Sequence, residues 1–172
     1  MREDTRRSIQ NCIVYGFVVG PLLATAQVVT YLAFGLNAER PLRLAASLVE
    51  GPGIFTAADG ASATFVAFCA YLLIAAFWGA VYGALSARAP TAVRRGYAEQ
   101  ASLGLFFGAF VWFVGFRVLG PLVAPWITSE PALPQLLLHM LAFGLPIGLL
   151  FARAERRTPV EDDLLERRLP AR

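Results

Sequence analysis

The sequence predicts an all-helical membrane protein with four transmembrane helices, arranged as two tandem helical hairpins. Three observations carry this expectation. The first is bulk: 57% of the 172 residues are hydrophobic and 16% are charged, with a mean hydropathy of +0.58. The second is length, since the apolar runs approach the roughly 20 residues a helix needs to cross about 30 Å of hydrocarbon. They lack the short alternation of a lumen-lining barrel, and helices are the other structures that satisfy every backbone polar group within lipid. The third is repetition. FWGAVYGALSAR, residues 77–88, returns as AFGLPIGLLFAR, residues 142–153. Each copy closes an apolar run on Gly-x-x-x-Gly followed by an arginine. The spacing pairs Gly79 with Gly144, Gly83 with Gly148 and Arg88 with Arg153, as expected of two copies of one helical unit.

Residues 1–8, MREDTRRS, read as a charged leader in which Asp4 or Thr5 would cap the first span. That span runs from about residue 9 to residue 34 and holds Pro21, tolerable where neighbouring helices re-satisfy the backbone. Gly16, Gly20, Ala24, Gln27 and Tyr31 share one face of it, the face expected to be buried. Residues 36–63 form the longest connection. Within it, residues 41–50 place Arg43, Ser47 and Glu50 on one narrow face, the pattern of a short helix in the membrane interface. GPGIFTAADGAS, residues 51–62, reads as loop.

The second span covers about residues 64–87 and is followed by a brief basic loop, RAPTAVRR. The third, about 97–119, is the most aromatic, and its Gly104-x-x-x-Gly108 matches Gly16-x-x-x-Gly20 of the first. A proline-rich turn, residues 120–134, carries Trp126, an aromatic suited to the headgroup level. The fourth span, about 133–152, contains His139 and Pro146. In the tail, 153–172, Thr158-Pro159-Val160-Glu161 forms a capping box ahead of a short helix to about Leu169. The domains are thus a leader (1–8), a four-helix membrane domain (9–152) and a tail (153–172).

All the basic residues are arginine, read as a bacterial coding preference. Most of them lie on the leader, the loop between the second and third spans, and the tail. Only Arg40, Arg43 and Arg117 fall on the other side. The positive-inside rule then puts both termini in the cytoplasm, with the chain in the bacterial inner membrane. Two spans per repeat make the halves parallel, which departs from the inverted-repeat transporters. A net charge of +3 is too small to argue for nucleic-acid binding. The first apolar run is too long for a cleavable signal peptide. Cys12 and Cys69 are placed near opposite ends of their helices, so no disulfide between them is expected.

His139 is the single histidine, and ionisable groups at membrane depth serve as proton carriers, metal or haem ligands, or quinone contacts. Gln27, Cys69, Arg117 and His139 all fall in the outer half of the bilayer, and one shared polar site is the functional reading. Regular helical phase opposes it, setting His139 nearly opposite Gly148 and turning Arg117 away from Gly104. The alternatives are a packed neutral histidine, an arginine that snorkels to headgroups and a glutamine bonded across helices. Bis-histidine haem would need a second ligand from a partner chain. The glycine pairs of the four spans, Gly16/Gly20, Gly79/Gly83, Gly104/Gly108 and Gly144/Gly148, would pack within the bundle or face another subunit. Asp59 and Glu130 read as outer-loop acids and Glu99 as an acid at the cytoplasmic edge. The sequence shows no nucleophile triad, metal-ligand cluster, phosphate loop or intramembrane carboxylate pair, so no enzymatic activity is expected.

GPLLAT, residues 20–25, and LHMLAFGLPIGLLFAR, residues 138–153, resemble the small multi-pass inner-membrane proteins of bacteria that are YagU-like. The resemblance covers the four-helix region, not the tail, and implies no catalytic residues. The leading functional expectation is a non-catalytic accessory or structural subunit of a larger membrane complex, such as an energy-transducing one. A small-solute or proton permease acting as an oligomer is the alternative, and a haem- or quinone-binding subunit the third. Expected partners are membrane lipids and other integral subunits or further copies of the chain.

Overall fold

Four helices long and apolar enough to cross a membrane dominate the structure, a computed structural model that describes residues 3–56 and 60–157. Helix α1 spans Glu3–Ala33, α2 Arg40–Glu50 and α3 Gly60–Ser86. A five-residue helix α4, Thr91–Arg95, leads into α5, Tyr97–Val123, and α6 covers Ala132–Arg157. Short 3₁₀ turns at Pro52–Phe55 and Pro125–Ser129 shape the connections at the end remote from the termini. No strand occurs among the described residues.

Several boundaries differ from the sequence-based expectation. Helix α1 already begins at Glu3, so Asp4 and Thr5 are inside it rather than capping it. The leader is held in helical register because Ser8 is buried and its hydroxyl donates to Glu155 at 3.4 Å. Helix α3 starts at Gly60, α5 runs on to Val123, and α6 continues to Arg157, into the segment read as tail. The capping box at Thr158 and the short helix after it lie outside the described residues, as does Asp59.

Glycine seams join the helices. A Cβ added at Gly16 would stand 2.3 Å from the Ala75 carbonyl oxygen, and one at Gly79 would stand 2.1 Å from that of Cys12. Contacts this close are open only to a residue without a side chain, so α1 and α3 touch backbone to backbone. The seam between α5 and α6 is built likewise: a Cβ at Gly104 would lie 2.2 Å from Gly144 O, and one at Gly148 2.2 Å from Gln100 O. The contacts correct the pairing read from the repeat. With Gly16 equivalent to Gly104, it is Gly148 that takes the place of Gly79, one turn further along than Gly144.

Helix α1 packs on both α3 and α6, which places α3 and α5 at the flanks. Toward the terminal end the flanking helices meet through aromatic rings: Trp78 lies edge-on to Phe107 and Phe110 at 6.1 and 6.0 Å, and Tyr82 to Phe107 at 5.0 Å. Phe107 and Tyr82 form the main core with Phe143, Ile147 and Phe151, and Trp78 packs against it. Below it, Arg94 pairs with the buried Glu155, and Arg156 covers the Tyr97 ring at 4.2 Å.

Two stretches depart from α-helical winding. Residues Phe113–Leu119 of α5 and His139–Gly144 of α6 are π-helical, and each ends just before a proline, Pro121 and Pro146. Proline lacks the N–H that would close the preceding turn, and an i→i+5 turn re-accommodates the freed carbonyl. Pro21 has no such stretch beside it, since α1 is α-helical throughout.

Candidate functional site: a side-opening cavity with a polar wall

Beyond the aromatic contacts, α3 and α5 part toward the end remote from the termini and leave a cavity of about 480 Å³. Its side walls are apolar, with Leu73, Ile74, Phe77 and Trp78 from α3 facing Val111, Phe116, Leu119 and Val123 from α5. Helix α2 roofs it through Leu44, Ala45 and Leu48. The rim residues Leu73, Phe77, Leu119 and Val123 are also exposed on the outer surface of the helices, so the cavity opens sideways. Gly115 borders it with open space where a side chain would be.

The polar part of the wall comes from Gln27 on α1, Tyr71 on α3 and His139 on α6. Gln27 is 4% exposed; its Nε2 donates to Gln135 Oε1 at 2.9 Å, and its Oε1 accepts a short hydrogen bond from the Tyr71 hydroxyl. His139, also buried, holds its Nδ1 2.7 Å from the backbone oxygen of Gln135 and meets the Phe116 ring edge-on at 5.5 Å. Gln135, fully buried, thus ties the two together through its side chain and its backbone.

Of the four polar residues singled out in the sequence, Gln27 and His139 come to one wall. Cys69 is half-buried and does not border the cavity; both cysteines are free thiols. Arg117 is exposed, its guanidinium 5.3 Å over the Trp112 ring, and stands apart. The expectation that phase separates His139 from the glycine face fails for a physical reason. Residues 139 and 148 would be roughly half a turn out of register in a regular α-helix, but the π stretch between them adds a residue to the turn and rotates His139 inward. Its backbone oxygen would lie 2.2 Å from a Cβ at Gly108.

Sequence reasoning missed Tyr71, Gln135 and Gly115. Gln135 had a usable signal, since it precedes His139 by one helical turn and shares its face. Glu130 lies in the connection between α5 and α6, as expected, but it is buried: it is 7% exposed, accepts from Arg40 Nε at 2.8 Å and receives the Tyr31 hydroxyl. Trp126 is half-buried and donates from Nε1 to Ser47 Oγ at 2.8 Å. Ser47 is therefore turned into the protein, while Leu48 and Val49 of the same helix are exposed. Gln27, Tyr71, Tyr31, Glu130 and Arg40 form two adjoining polar clusters that hold α2 and the Pro125–Ser129 turn over the cavity.

Fold and site together define a multi-pass helical membrane protein with a polar-backed cavity between two of its membrane-length helices. No family model, no curated protein and no solved structure matches the chain.

Proposed function

We propose that this is a non-catalytic integral membrane protein that holds an apolar, lipid-derived or quinone-like molecule in the cavity between α3 and α5. The observation that carries the proposal is the pairing of apolar, side-opening walls with a buried polar wall of Gln27 and His139. Its volume falls within the range of about 300–1,000 Å³ common for small-molecule sites, and a few placed polar groups among apolar ones are their usual lining. A lateral mouth suits a ligand that arrives from the lipid.

The glycine faces, the positive support for an accessory subunit, meet within the chain, which shifts weight toward ligand holding. Passage of a solute or proton has less support, because the cavity gives way to the packed core of Phe107, Phe143 and Ile147. In this reading the chain is two parallel helical hairpins in a bacterial inner membrane, with the arginine-rich ends cytoplasmic and α2 in the outer interface. A role beside other subunits is compatible with it.

Gly115→Leu tests the proposal, because it fills the cavity where nothing obstructs a side chain. Protein purified in mild detergent is extracted with organic solvent and the extract examined by mass spectrometry. Wild type is expected to carry a near-stoichiometric apolar molecule that Gly115→Leu lacks at unchanged thermal stability. Equal lipid content in both proteins would contradict the proposal.

A further inference from the structure

One nitrogen of the polar wall, His139 Nε2, is left as an acceptor without a donor among the described residues. Gln27 is engaged at both ends of its amide, and the Tyr71 hydroxyl proton is directed at Gln27. The Gln135 carbonyl oxygen can only accept, so the proton on His139 sits on Nδ1, 2.7 Å away, and Nε2 keeps its lone pair. No described residue donates to Nε2. Every carboxylate is absent from the cavity wall, so an imidazolium would be buried without a counter-charge and the ring is neutral. Gln135 Nε2 is fully buried and does not border the cavity. At His139 the wall therefore offers an incoming molecule an acceptor, while the indole N–H of Trp78 and the second N–H of Gln27 Nε2, on residues of the same wall, can donate.

Resting on the cavity reading above, we infer that the occupant is an apolar chain capped by a hydroxyl, whose O–H donates to His139 Nε2. A long-chain or isoprenoid alcohol has such a head, as does the reduced, hydroxyl-bearing form of a quinone. An ether or an oxidised quinone, which only accepts, would set lone pair against lone pair and leave Nε2 unpaired away from water.

Farnesol and farnesyl methyl ether share a tail and differ in that O–H. Each is titrated into the full-length protein in detergent micelles, and bound ligand is counted by native mass spectrometry. Wild type is expected to hold farnesol roughly three- to tenfold more tightly than the ether, the range of one net hydrogen bond. His139→Phe, which keeps a ring against Phe116, is expected to bind both equally, and Gly115→Leu to bind neither. Equal binding of the two probes by wild type, lost in Gly115→Leu, would overturn the hydroxyl assignment and leave the cavity reading standing. A farnesol preference that survives in His139→Phe would overturn the role of Nε2. Binding of neither probe, or binding indifferent to Gly115→Leu, would overturn the cavity reading itself. The wild-type comparison decides the head group whether or not His139→Phe folds.

Discussion

Gln135 joins the polar residues of two helices, accepting from Gln27 on α1 with its side chain and from His139 one turn later with its backbone. Interhelical hydrogen bonds of this kind in membranes contribute about 0.6 kcal/mol on average and about 1.7 at most. A double-mutant cycle on Gln27→Leu and Gln135→Leu, read by reversible unfolding in mixed micelles, is expected to give a coupling energy in that range. A coupling near zero would mean that the pair does not hold α1 to α6. Gln27 and His139 were visible in the sequence as isolated polar residues in apolar runs. Gln135 was not, because it directly follows a proline-rich turn that composition marks as surface, and the burial of Glu130 was hidden because it lies within that turn. Arg117 misled for the opposite reason: a charge near a span end draws attention, but its long stem reaches the Trp112 ring and turns away from the cavity.

At the level of elements, the glycine seams set how closely helices approach, and the two π stretches set what faces the cavity. Gly79→Val brings a branched side chain against the Cys12 carbonyl oxygen, which a Cβ would meet at 2.1 Å. Overpacking of this kind costs about 1–3 kcal/mol or more; a lowered midpoint in thermal unfolding checks it, and an unchanged midpoint would place the seam elsewhere. That the glycines pack was legible from Gly-x-x-x-Gly spacing. Their register was not, since the spacing names the small residues but not which backbone each one meets across the seam. The π stretches escaped because periodicity assumes 3.6 residues per turn throughout, although Pro121 and Pro146 marked where that assumption breaks.

For the whole molecule, hydropathy was enough to find four membrane-length helices, because lipid leaves the backbone few alternatives. The cavity was not legible at that level: it arises where α3 and α5 diverge, and no single run of residues encodes the gap. The sideways mouth is the whole-molecule feature on which the proposed holding of a bilayer-derived molecule rests. Trp78 borders the cavity and reports on its occupancy. In protein carrying Trp112→Phe and Trp126→Phe, reconstituted in lipid nanodiscs, a terminally brominated long-chain alcohol is titrated while Trp78 fluorescence is followed. Quenching that saturates, and that Gly115→Leu reduces to the weak linear response of a dissolved quencher, is the predicted result. Linear, unsaturated quenching identical in both proteins would contradict the claim that the cavity binds.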